Sequence, residues 1–209
     1  MANTSKIRGF IPVKHMSGAP YNGQSNMYAV AAADGTALFI GDPVKLDGSG
    51  SAGGVATVTK ATAGASVLGV IVGIVPAKMD PVTGAMSSGS IALDTTQYRA
   101  ASTAAYVLVA DAPDVIYEVE AVTGSNSTVA FAAADIGLNA DLATVAGSTT
   151  TGVSAAALDM STKATTATLQ FKIIGTVQRV DNDSTGVSTK VLVKINNAVM
   201  SGGTGATGQ

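Results

Sequence analysis

The side chains of this sequence that could do chemistry are few and widely spaced. There is one histidine, His15, in Lys14-His15-Met16, and there is no cysteine or tryptophan among 209 residues. A lone histidine can move a proton, but a zinc site needs further His, Cys or carboxylate ligands, and a nucleophile needs an adjacent base. His15 therefore reads as a surface or hydrogen-bonded side chain. Glu118 and Glu120 lie two apart in a β-type run, which places both carboxylates on one face of a strand. Such a pair could divide acid and base duties, but no His, Lys or metal ligand accompanies it in sequence. A solvated strand face is the expectation. Asp181 and Asp183 offer clustered oxygens of the kind calcium takes. A calcium loop begun at Asp181 finds its sixth-position glycine at Gly186, yet Leu192 stands where the twelfth position needs a carboxylate. A hairpin turn fits better.

Two glycine patterns also fail on context. Gly48, Gly50 and Gly53 satisfy G-x-G-x-x-G, but a dinucleotide site needs a helix to follow, and the alternating run 55–60 (VATVTK) follows instead. Gly203, Gly205 and Gly208 repeat the pattern in the C-terminal tail, as a glycine-rich chain does by chance. No serine sits in a G-x-S-x-G elbow, and Asn3, Asn126 and Asn182 head sequons that carry no meaning without secretion. No catalytic, cofactor-binding or metal-ligating residues are expected, and no cofactor.

The elements that would position these groups read as strands. Runs 105–110 (AYVLVA) and 115–122 (VIYEVEAV) flank Asp111-Ala112-Pro113-Asp114, a turn in which Pro fixes φ and Asp accepts local hydrogen bonds. Residues 67–75 (VLGVIVGIV) form the most hydrophobic run, about half the length needed to span a bilayer, and read as a buried strand. Residues 169–180 read as a long strand with a bulge at Gly175, then a turn and a partner over 187–195, a hairpin. Further turns fall at Asn22-Gly23, Asp34-Gly35, Gly41-Asp42-Pro43, Asp47-Gly48 and Asp80-Pro81. Helix is confined to 131–135 (FAAAD), one or two turns. The spacing predicts an all-β protein, a jelly-roll-like sandwich or barrel. Residues 47–54 and the tail 201–209 are expected to be flexible, giving an N-terminal arm (1–15), a single β domain (16–200) and a Gly-rich tail.

Composition points away from catalysis and toward contact. Charged residues make up 12% of the chain, against about 25% in ordinary domains. The net charge is −2, a poor guard against self-association and better suited to an assembly. Residues 1–33 hold Lys6, Arg8 and Lys14 with no acid, whereas 34–135 hold ten acids against four bases. No stretch is dense enough in Lys and Arg for a nucleic-acid face, and neither a secretory signal nor a membrane span is visible. Within 6–14 (KIRGFIPVK), Ile7, Phe10, Ile11 and Val13 interleave with Lys6, Arg8 and Lys14, and Pro12 prevents a helix. This segment could add to a neighbour's sheet edge or be the first strand of the chain's own sheet. Tyr98 and Arg99 are residue types enriched at contact hot spots, or ordinary loop anchors.

Several segments together resemble the decoration, or cement, proteins of tailed-bacteriophage heads. They are 2–15 (ANTSKIRGFIPVKH), 21–24 (YNGQ), 41–46 (GDPVKL), 96–119, 135–142 (DIGLNADL), 147–152 (GSTTTG) and 171–182. The resemblance runs over most of the chain, from Ala2 to about Asn197, and rests on whole segments rather than a catalytic signature. It implies a jelly-roll-like β fold without an active site, on the exterior of a virion assembled in the bacterial host cytoplasm. The implied partners are the major capsid protein and neighbouring copies around a local symmetry axis. Contacts bridging capsid subunits would stabilise the shell by mass action. The hypothesised contact residues are Lys6, Ile7, Arg8, Phe10, Ile11, Val13, Lys14, Tyr98 and Arg99, and removing residues 1–14 is expected to abolish head binding while sparing the fold. The alternative is a host-surface or glycan-binding β module of a virion, for which nine aromatic residues without Trp offer few stacking platforms.

Overall fold

The computed structural model describes residues 3–51, 53–75, 77–79, 86–91, 96–124, 126–201, 205, 207 and 208, with 77–79 and 86–91 as backbone only. Its strands in chain order are β1 (Ile11–His15), β2 (Asn26–Val30), β3 (Pro43–Gly50), β4 (Ala56–Lys60), β5 (Gly69–Val75), β6 (Ala77–Met79) and β7 (Met86–Ile91). They continue with β8 (Ala105–Ala110), β9 (Val115–Thr123), β10 (Ser127–Thr128), β11 (Asn139–Ala143), β12 (Ala157–Ala164), β13 (Phe171–Thr176) and β14 (Lys190–Ile195). Helix among the described residues is limited to single 3-10 turns at Ala133–Asp135 and Val199–Ser201. The protein is all-β.

Strands β2-β4-β3-β5-β8 close into a barrel. A second sheet runs β1-β9-β12-β11-β13-β14, and β14 pairs back onto β9, so its five long strands also form a ring. Strand β10 adds to β9, and β6 and β7 make a separate two-stranded ribbon. Strand β9 is the hub. It pairs with β1 and β14 over its first half and with β12 over its second. Both of its faces are covered, with only Glu118 and Thr123 short of full burial, so apolar residues stand on either side of it. Strand β14, KVLVKI, alternates intermediate and buried positions throughout, as a half-covered strand should.

The first barrel is filled by Val30, Leu38, Val44, Val58, Leu68, Ile71, Val107 and Val109. The larger core belongs to both rings. Phe10, Tyr117, Phe131, Phe171 and Ile173 of the second meet Ala61, Val67, Val70 and Ala110 of the first. Phe10 and Phe171 stack with ring centroids 4.5 Å apart.

The expected bulge falls between Ile173 and Gly175 in the β13–β14 hairpin. The turn at 111–114 forms, but the strands it joins lie in different sheets, so it carries the chain from one ring to the other. Three expectations are corrected. Residues 47–50 continue β3 as an exposed strand end, because Gly50 pairs with Ala56 after a register shift; the loop shrinks to the residues beyond. The long strand expected over 169–180 stops at Thr176, and its partner starts at Lys190. The N-terminal arm is not separate from the body: Ile11–His15 is a strand of the chain's own sheet and Phe10 is core. Of the tail, Gly208 N–H donates to the Thr165 carbonyl at 2.8 Å and Lys172 Nζ to the Thr207 carbonyl at 3.1 Å. The Asp80-Pro81 turn and tail residues 202–204, 206 and 209 lie outside the described residues.

Candidate functional site

The N-terminal segment lies extended across the second ring, held by side chains rather than by a strand ladder. Asn3 Nδ2 donates to the carbonyls of Asp183 and Val187, both at 2.9 Å, and Asn3 Oδ1 accepts the Asp183 N–H. Lys6 N–H donates to Glu120 Oε2 at 2.8 Å. Ile7 packs on Val122, Ala143 and Ala157. Phe10 N–H donates to the Gly41 carbonyl at 2.9 Å. An extended chain turns alternate side chains to opposite faces, so with Ile7 inward, Thr4, Lys6 and Arg8 face the other way.

There they form one wall of a cleft of about 440 Å³. Ile11, Val119 and the side chains of Glu118, Glu120, Arg179, Asp181 and Lys190 complete it. Arg179, in the loop after β13, grips Glu118 of β9 through both its terminal nitrogens, at 2.8 and 3.0 Å, and it reaches Asp181 at 3.3 Å. The bidentate pairing with Glu118 holds the guanidinium pKa above its ordinary value. The cleft's other cations differ: among the described residues, no carboxylate lies within ion-pair distance of Lys6, Arg8 or Lys190.

Glu120 overturns the expectation of a solvated face. It is 4% exposed, and its Oε1 is buried without a hydrogen-bond partner. A run of two acids on one strand face cannot reveal this, because the cover comes from the N-terminal segment, far away in sequence. Glu118 remains beside it at the cleft, neutralised by Arg179.

The contact residues singled out from the sequence therefore divide. Lys6, Arg8 and Ile11 come together at the cleft, and Val13 and Lys14 continue along β1. Ile11 and Val13 are exposed large apolar side chains at 40% and 39%. Ile7 and Phe10 face inward, which removes them as outward contacts. Tyr98 stacks on Phe39 with centroids 5.2 Å apart, well away in sequence from the cleft. Arg99 is a correction: it is 2% exposed, and its guanidinium donates to the carbonyls of Thr103, Thr36 and Ala31 at 2.7, 2.6 and 2.8 Å. It anchors loops.

His15 Nδ1 lies 3.1 Å from Asp114 Oδ2. Asp183 Oδ1 accepts the Thr185 N–H within the turn before β14, as the hairpin reading requires. Gly48 and Gly50 belong to β3, which leads to a strand and not to a helix. Among the described residues, no group of three or more His, Cys, Asp or Glu side chains could hold a metal ion, and no helix is long and apolar enough to cross a membrane.

A reactive-looking trio went unread in the sequence. Ser154 Oγ donates to Asp42 Oδ1 at 2.5 Å, and Lys60 Nζ sits 3.0 Å from the same oxygen. Asp42 Oδ2 accepts the Phe39 N–H, and Ser154 Oγ accepts the Ala156 N–H. With Asp42 at 0% and Ser154 at 1% exposure, the serine hydrogen is already committed and the trio ties one ring to the other. Gly41-Asp42-Pro43 shows in sequence only as a turn. Ser154 lies 112 residues from Asp42.

No protein-family model matches this chain, and no curated protein or solved structure matches it significantly.

Proposed function

We propose that this chain is a non-enzymatic decoration protein of a tailed-phage head. In this reading a jelly-roll-like β body sits on the capsid exterior and bridges major capsid subunits, with copies associating around a local symmetry axis. The observation that carries the reading is the first-strand face. Ile11 and Val13 stand exposed on a rigid strand beside the cations Lys6, Arg8 and Lys14, and apolar side chains rimmed by charge are the usual make-up of a protein contact. The segment resemblance supports it, and so does the absorption of Asp42, Ser154 and Arg99 into the frame. Each copy needs only weak affinity, because symmetry repeats the contact over the shell.

The test is cosedimentation with emptied heads of the phage that encodes the chain. The wild type should pellet with heads and raise their melting temperature. Ile11→Asp combined with Val13→Asp should keep the protein's own melting temperature and leave it in the supernatant. A wild type that ignores heads would refute the proposal, and a major capsid gene beside this one would strengthen it.

A further inference from the structure

We propose that the cleft between the N-terminal segment and strands β9 and β14 is a docking groove for an extended, acidic segment of a partner chain. This rests on the reading of the first-strand face as a contact surface and names the chemistry that face accepts. Three observations converge on it. Lys6, Arg8 and Lys190 line the cleft with no carboxylate within ion-pair reach among the described residues, while the one other cation, Arg179, is neutralised by Glu118 and Asp181. Lys6 and Arg8 are alternate residues of an extended chain, so their spacing matches alternate side chains of a second extended chain laid alongside. Glu120 Oε1 is a buried acceptor at the same cleft with nothing to accept from. A buried carboxylate oxygen in that condition is costly and calls for a donor.

These features select among anions. A compact phosphate would satisfy the cations but brings no N–H donor. An acidic peptide brings both: carboxylates for Lys6, Arg8 and Lys190, and backbone N–H groups for Glu120. Ile11, 40% exposed, supplies apolar surface for the stem of a side chain.

The probe is a fluorescent dodecapeptide of alternating Asp and Ser, with an Asn-Ser peptide as neutral control, followed by anisotropy at low salt. The acidic peptide should bind, the neutral one should not, and binding should weaken as salt screens the charges. The variant K6Q/R8Q/K190Q should lose about tenfold or more in affinity. Should that variant fold poorly, acetylation of the wild type serves instead: the peptide should shield Lys6 and Lys190 selectively. Absence of binding at low salt, equal binding by the variant, or unshielded lysines would each overturn the groove. So would displacement by inorganic phosphate where chloride of equal ionic strength has no effect, since that marks a phosphate site. Head cosedimentation separates the two readings. Wild-type and variant proteins that pellet equally leave the decoration role standing without the groove; a peptide-binding protein that ignores heads leaves the groove without the role.

Discussion

A guanidinium sealed from water must place its donors on protein acceptors, and Arg99 does so on three carbonyls from three loop positions. Burial pushes its pKa down and Asp34, 4.0 Å away, pushes it back up. Arg99→Met would fill the volume but orphan those carbonyls, and should lower unfolding free energy by about 3 kcal/mol. Lysine, a point charge without a fork, should recover only part of this. Denaturant titration checks it: the midpoint falls and the slope stays constant. Residue type alone left Arg99 open between contact and anchor, because Ala31 and Thr36 lie more than sixty residues upstream. The tyrosines give a pH dependence. Burial raises the Tyr28 pKa, helped by the 2.6 Å hydrogen bond its hydroxyl donates to Asp111, and burial raises that of Tyr117 as well. Both folded values lie above the ordinary 10.0. Above that pH the unfolded chain gives up protons the folded one keeps. The stability they contribute is therefore intact below pH 10 and lost as pH rises beyond it. Melting temperatures should fall above pH 10, and Tyr28→Phe should make the fall shallower.

At the scale of elements, the N-terminal segment is where sequence and structure part most usefully. Turn residues, β-branched runs and the glycine in 169–180 made the strands and the bulge legible. Which sheet each strand joins was not legible, since pairing such as β1 on β9 is decided by contacts a hundred residues apart. For 6–14, the amphipathic pattern fits an arm or an edge strand equally well, and only the burial of Phe10 decides. Truncating 1–14 removes Phe10 from the core and most of β1 from β9, so the truncated chain should lose stability outright instead of sparing the fold. Phe10→Ala alone should cost about 3–5 kcal/mol. The crossing beside it is tighter still. Gly9 holds φ at +74°, and a Cβ there would stand 2.5 Å from the Gly41 carbonyl oxygen. Gly41 itself holds φ at +93°. Gly9→Ala therefore combines left-handed strain with a backbone clash, and should destabilise by about 2 kcal/mol or more. Gly18, also left-handed at φ +89° but with open space around it, should tolerate alanine better; thermal melts of the two variants make the comparison.

For the whole molecule, the question is whether two rings of strands unfold as one body or two. Three kinds of tie cross between them. The large core draws side chains from both. Val67 bonds to the backbone of Asn197 and Val199, so the chain after β14 returns to the first barrel. Gln170, fully buried just before β13, donates its amide to the Thr62 and Ala65 carbonyls at 2.8 Å each and accepts the Leu142 N–H at 2.9 Å. No sequence signal marked Gln170, since a lone glutamine beside a strand carries no pattern; its importance comes from the loop it meets. A shared core means that neither ring can lose its packing without exposing apolar surface of the other. Calorimetry should accordingly show one transition with equal calorimetric and van't Hoff enthalpies. Gln170→Leu keeps the volume but strands three backbone groups, and should cost about 3 kcal/mol. Since it removes polar ties while the apolar core persists, the single transition should survive at a lower temperature. Two resolved transitions in the wild type would mean that the rings are independent domains. Two in the variant alone would assign the coupling to Gln170 and not to the core.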